Sequence, residues 1–281
     1  MGESGEEMTV DRRLLILDLD NTLYDWVSSF VPAAYAMIEK ASEILQVSID
    51  QVVDELKVVN QRHGDTEHPQ AIFEIASALR QFVDAPEIAK ALEPSVVCFQ
   101  DTNAHLLQLY PGVKEKLEDA NRSGVTMVAY TDARVASSLS RVNFLGLRPY
   151  LTQLFTPDQR VSPYMMRSSD REFVSVLPHD ERKPNPAALL DICRRCNVTP
   201  DQALYVGDSL VRDIYMAKQA GILSAWARYG TTFDPGLWTK LVAITHWTEI
   251  DVLKEAQVRE RAGTVMPDVV LDRFSDLRLT H

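Results

Sequence analysis

Asp18 and Asp20 stand one residue apart, directly after the aliphatic run Leu14-Leu15-Ile16-Leu17. If that run is a strand, alternation sends both carboxylates to one side. Two anions held so close are tolerated when a cation lies between them or one is protonated. The pair therefore suits cation binding and proton transfer. Three later stretches carry groups that could work with it. They are Thr131-Asp132-Ala133, the cation of Lys183-Pro184-Asn185-Pro186, and two carboxylates in Gly207-Asp208-Ser209-Leu210-Val211-Arg212-Asp213. Each alone has an ordinary explanation: an acidic turn, an N-cap, a surface lysine, a strand-ending turn.

The elements that must position these groups are legible around them. Leu14–Leu17 reads as a strand buried on both faces, as in a parallel sheet. In open α/β sheets, ligands bind beyond the C-terminal strand edge, where the two carboxylates stand. Helical spacing follows from Ser28 to Leu45. Ser48-Ile49-Asp50-Gln51 is a capping box opening a helix toward Val59. Asn60 to Pro69 reads as a polar loop, then helices run over Gln70–Phe82 and Pro86–Asn103. Strands resume at Val125–Tyr130, near Leu154–Thr156, at Ala203–Val206, Ile222–Ala227 and Val269–Leu271, with helices between them. Strands alternating with helices predict βαβ units and a parallel sheet. Two stretches depart from that rhythm. Residues 157–182 read as an added hairpin, a lid or a solvated excursion, and residues 233–267 as charged helices that pack without a functional part.

Taken in order, Asp18-Leu19-Asp20-Asn21-Thr22, Thr131, Lys183 and Gly207-Asp208…Asp213 resemble the four motifs of the haloacid dehalogenase-like hydrolase superfamily. The likeness covers roughly residues 11 to 275 and is to phosphatase-type members of subfamily I. It implies an α/β fold: a Rossmann-like parallel-sheet core over residues 11–23 and 105–275, and an inserted α-helical cap over residues 24–104. Residues 1–10 are expected to be a disordered N-terminus.

The resemblance also implies roles. Asp18 would be the nucleophile that forms an aspartyl-phosphate, and Asp20 the acid and then the base. Thr131, Asp132 and Lys183 would surround the phosphoryl group. Mg²⁺ would be held by the side chains of Asp18 and Asp208, by the backbone carbonyl of Asp20, and by Asp213 directly or through water. In the cap, Trp26, Arg62 and His63 are the candidates to touch the rest of the substrate. The implied activity is hydrolysis of a small phosphorylated metabolite, a sugar phosphate or a nucleoside monophosphate. A 2-haloacid dehalogenase or a phosphomutase shares the fold. A departing halide needs no proton, and the family's dehalogenases lack the second aspartate, so Asp20 favours phosphate esters. A phospho-ligand binding or phospho-acceptor protein is the non-enzymatic alternative.

Composition narrows the partners. The chain has 281 residues, 46% of them hydrophobic, enough for a sizeable core. Its 29 basic and 40 acidic residues give a net charge of −11, and no basic run offers a stripe for nucleic acid. No apolar run approaches a membrane span, and Met1 to Asp11 lacks the apolar centre of a signal peptide. Three cysteines do not make a disulfide framework, and the lone Cys193–Cys196 pair lacks further zinc ligands. A cytoplasmic monomer or homodimer, acting on a small molecule, is the expectation.

Overall fold

The computed structural model describes residues 13–157, 166–178, 182–248 and 265–278. The expected disorder of residues 1–10 lies outside them. Seven strands form one parallel sheet in the order β4-β3-β2-β1-β5-β6-β7. They are β1 Leu14–Leu17, β2 Thr126–Tyr130, β3 Gln153–Pro157, β4 Val174–Leu177, β5 Ala203–Gly207, β6 Leu223–Ala227 and β7 Val269–Leu271. All four residues of β1 are buried, because β1 lies between β2 and β5. The chain first winds outward from β1 through β2, β3 and β4, then returns to β5 on the other side. The edge between β1 and β5 is therefore the topological switch point, where such sheets bind ligands.

The chain divides into two compact units. Among the described residues, one comprises 13–23, 109–231 and 265–278; the other comprises 24–108 and 232–248. In the first unit, helices α5 (Val113–Arg122), α6 (Val135–Phe144), α7 (Ser168–Arg171), α8 (Pro186–Arg195) and α9 (Tyr215–Gln219) accompany the sheet. Leu189, Ile192 and Cys193 of α8 and Met216 and Ala217 of α9 pack with Leu14, Ile16, Val128 and Tyr205 from the strands. Cys193 is thus part of the apolar core.

The second unit holds α1 (Trp26–Leu45), α2 (Ile49–His63), α3 (Ala76–Gln81), α4 (Ala85–Leu106) and α10 (Pro235–Ile244). Asp25 caps α1 by accepting from the Ser28 N–H, and Ser48 caps α2 by accepting from Gln51 N–H. The helices bury one continuous core that includes Ile38, Leu45, Val52, Leu56, Leu92, Leu241 and Ile244.

Three expectations about elements need correction. The polar stretch from Asn60 begins inside α2, which runs to His63 and stops at Gly64 in the left-handed region, so Arg62 and His63 occupy its last turn. Residues 157–182 include α7 and the parallel strand β4, whose Val174 and Leu177 are buried; residues 158–165 and 179–181 lie outside the described ones. Strand β4 was hidden because a four-residue edge strand gives little periodicity. Within residues 233–267, α10 belongs with the helical unit and not with the sheet unit. Its backbone accepts from Lys57 and Asn60 of α2, at the carbonyls of Val242 and Ile244. Residues 249–264 lie outside the described ones. No described helix is long and apolar enough to cross a membrane.

Candidate active site

Asp18, Lys183, Asp208 and Asp213 meet at the C-terminal ends of β1 and β5. Asp18 follows β1, and its N–H still pairs with Val206 of β5 at 2.9 Å. The chain then turns sharply: Thr22 and Leu23 N–H both return to the Leu19 carbonyl. Asn21 takes a left-handed φ of 57°, a conformation asparagine tolerates better than most residues. The turn brings the Thr22 hydroxyl back to donate to Asp18 Oδ2 at 2.9 Å.

Lys183 ties the cluster together. Its ammonium donates to Asp18 Oδ1 and, at 2.9 Å, to Asp213 Oδ1, and its side chain is almost fully buried. Its backbone N–H donates to Asp132 Oδ1 at 3.0 Å. Asp132 thus also holds the lysine loop. Asp213 is buried and occupied on both oxygens. Oδ1 also accepts from the Tyr205 hydroxyl at 2.7 Å, and Oδ2 from Ser209 N–H at 3.0 Å. That arrangement depends on a π-helical turn over Leu210–Ile214; such turns recur at functional sites.

Asp208 completes the group: Asp18, Asp208 and Asp213 bring carboxylate oxygens within 4.8 Å of one another. Its backbone carbonyl accepts from the Trp226 indole at 2.8 Å, which pins the residue at the end of β5. One ammonium among three carboxylates leaves two negative charges unmatched. The titration behaviour follows. Burial, reinforced by Asp213, pushes the Asp18 carboxyl up to about 7 despite Lys183. Burial and the neighbouring carboxylates of Asp18 and Asp213 raise Asp208 well above the carboxylate range. Burial alone would pull the Lys183 ammonium down, but Asp18 and Asp213 outweigh it and hold it well above its ordinary value. A hard divalent cation with oxygen ligands fits this donor set and this charge deficit.

Thr131 is buried and stands at the end of β2. Its hydroxyl accepts from Ala133 N–H at 3.0 Å, so it closes a local turn, while α6 begins only at Val135. Asp20 turns toward α6 and accepts from Arg141 Nη1 at 2.7 Å. Sequence reasoning missed Arg141, Tyr205 and Gly230, whose missing side chain leaves room for the Asn21 carbonyl. Arg141 lies on the buried stripe of α6, where a charged residue among Val135, Ser138, Leu139 and Val142 was the available signal. Gly230 carries no signal in sequence.

The cap candidates are all engaged within the helical unit. The Trp26 indole donates to Glu67 at 2.6 Å and stacks on Phe30. His63 Nε2 pairs with Glu74 at 2.7 Å, and Arg62 lies 3.5 Å from the same oxygen. His63, His68 and Glu74 form a second group of metal-ligand type. The two rings stack face to face at 3.7 Å with 9° between planes, so their in-plane lone pairs run side by side and do not converge. We read this group as a hydrogen-bonded stack.

Comparison with known proteins agrees with this fold. The family model of haloacid dehalogenase-like hydrolases matches residues 13–221. A glyceraldehyde 3-phosphate phosphatase of Methanopyrus kandleri is 28% identical over 228 residues, 79% of this chain and 86% of that protein. An N-acetylmuramic acid 6-phosphate phosphatase of Pseudomonas aeruginosa is 28% identical over 248 residues, 87% of this chain and 96% of that protein. Among solved structures, a predicted phosphoglycolate phosphatase from Haemophilus somnus 129pt matches with a TM-score of 0.51 and 20% identity, covering 95% of this chain and 96% of that one. With its parallel sheet, its inserted helical unit and a family model matching residues 13–221, the chain belongs to the haloacid dehalogenase-like hydrolase family and is an enzyme.

Proposed function

We propose that the protein is a Mg²⁺-dependent phosphatase of small phosphorylated metabolites, acting through an aspartyl-phosphate on Asp18. The observation that carries this reading is the buried Asp18–Lys183–Asp213 cluster with Asp208 beside it, at the ends of β1 and β5. In the reaction, a carboxylate oxygen of Asp18 attacks phosphorus in line with the leaving oxygen. The ester P–O bond breaks, its electron pair passes to the leaving oxygen, and Asp20 gives that oxygen a proton. Asp20, now anionic, takes a proton from the water that attacks the aspartyl-phosphate, and Asp18 is regenerated as phosphate departs. Lys183 offsets charge on the phosphoryl oxygens, and Asp132 and Asp213 fix where its ammonium stands. Thr131 and the N–H groups of its turn are the proposed phosphate seat. Asp18, Asp208 and the Asp20 carbonyl would hold Mg²⁺, whose positive charge lets a carboxylate approach an anionic phosphate. Asp213, already occupied by three donors, is assigned mainly to the lysine and would add to the ion's site directly or through water.

Selectivity is assigned to the helical unit, with Trp26, Arg62 and His63 as the residues to test. Three free cysteines fit a cytoplasmic setting. The deciding experiment is phosphate release from a panel. It would include glyceraldehyde 3-phosphate, phosphoglycolate, N-acetylmuramic acid 6-phosphate, hexose phosphates and nucleoside monophosphates, with 2-chloropropionate as the haloacid control. One ester turned over well above the others, with no chloride released, is expected. Chloride release without phosphate release would overturn the phosphatase reading. Alanine variants of Trp26, Arg62 and His63 should reorder the panel; uniform losses would remove them from the substrate site.

A further inference from the structure

Arg141 is a buried cation with no part in any of the four motifs. It sits on α6, in a stripe with Val135, Ser138, Leu139 and Val142, and its side chain is only 10% exposed. A guanidinium never loses its charge in a protein and is costly to bury unless paired. Asp20 is one partner, at 2.7 Å from Nη1 to Oδ1. The Asp20 side chain is 24% exposed, so the pair has a buried end on the helix and a wetter end on the motif loop.

The geometry points to Arg141 as a positioning residue that aims the Asp20 carboxyl group at the leaving oxygen. This inference rests on the phosphatase reading above. Asp20 stands in a turn stiffened by Thr22 and Leu23 N–H bonds to Leu19, which fix its backbone but leave its side-chain torsions open. The lysine cluster does not fix them either, since Lys183 is committed to Asp18 and Asp213. A charge-assisted bond from a side chain anchored on a packed helix supplies the missing constraint. It leaves Oδ2 as the oxygen to carry the proton. In the first half-reaction the proton moves from Oδ2 to the leaving oxygen as the P–O bond breaks. In the second, water returns a proton to Oδ2 as its oxygen bonds to phosphorus. Arg141 touches neither substrate nor phosphate in this scheme.

The test compares two esters that differ in their need for that proton: a simple alkyl phosphate and 4-nitrophenyl phosphate, whose leaving group departs as an anion. Arg141→Met keeps the length of the side chain and removes its charge. We expect a loss of about 10²-fold in kcat on the alkyl ester, with KM unchanged and little loss on the nitrophenyl ester. On an Asp20→Asn background the same change should cost nothing further. Arg141→Lys retains one charged donor and should recover part of the alkyl-ester rate; it also carries the test if the methionine variant does not fold. Equal losses on both esters, or losses additive with Asp20→Asn, would overturn the inference while leaving the phosphatase reading intact. A wild-type protein that releases phosphate from neither ester would overturn both.

Discussion

Gly230 lies directly against Asn21: a Cβ built on the glycine would stand 1.8 Å from the Asn21 carbonyl oxygen and 3.1 Å from Asp208 Cβ. The short helical turn Arg228–Thr231 after β6 thus presses on the loop that carries Asp18 and Asp20. Tyr229 reinforces it by donating to the Thr22 carbonyl at 2.6 Å. Any side chain at residue 230 must push that loop away. Gly230→Ala should destabilise the fold by about 1–3 kcal/mol, the usual range for overpacking. It should lower kcat by more than the stability loss explains, because both aspartates shift. Thermal melting and kcat on 4-nitrophenyl phosphate check this; an unchanged kcat would mean the loop tolerates displacement.

Lys183 balances charge for two carboxylates at once, so its removal acts on both stability and rate. Lys183→Ala leaves Asp18 and Asp213 without their common partner, and breaking a buried pair typically costs about 3–5 kcal/mol. Rates should fall by about 10²-fold or more on every ester in a panel by the same factor, if, as proposed, the lysine meets the phosphoryl group they share. A substrate-dependent loss would assign Lys183 to specificity.

The raised Asp18 pKa has a stability consequence with a defined sign. An aspartate ionises near 3.8 when unfolded, whereas in the fold Asp18 holds its proton up to about 7. Between those values the folded state binds more protons than the unfolded one, so this group's contribution to stability falls as pH rises. In chelator, Asp18→Asn should therefore melt increasingly above wild type as pH goes from about 4 to about 7. Added Mg²⁺ should raise the wild-type melting temperature at pH 7 and leave the variant nearly unmoved. A constant difference across that range, or equal Mg²⁺ shifts in both proteins, would contradict the charge deficit described for the cluster.

Much of the sheet and the motif cluster could be read from sequence because both depend on local pattern. Apolar runs mark β1, β2 and β5, Asp18 and Asp208 directly follow β1 and β5, and Lys183 and Asp213 stand in short motifs read at those positions. What escaped depends on contacts between distant segments. Strand β4 is short and at the sheet edge; α10 shows where it packs only when Leu241 and Ile244 are seen in the helical core. Arg141 and Asp20 are 121 residues apart in sequence. The bond by which Asp132 holds the Lys183 loop could not be read in advance, because Lys183 lies 51 residues away in another motif.

The central claim is that Asp18 accepts the phosphoryl group, and trapping the intermediate tests it most directly. Asp20→Asn protein mixed with 4-nitrophenyl phosphate and Mg²⁺, quenched in acid and digested, should carry one phosphoryl group on the peptide that contains Asp18. Wild-type protein should release phosphate in steady state, and EDTA should stop it. Asp18→Asn should show neither label nor turnover. An Asp18→Asn variant that still released phosphate at close to the wild-type rate would contradict the account.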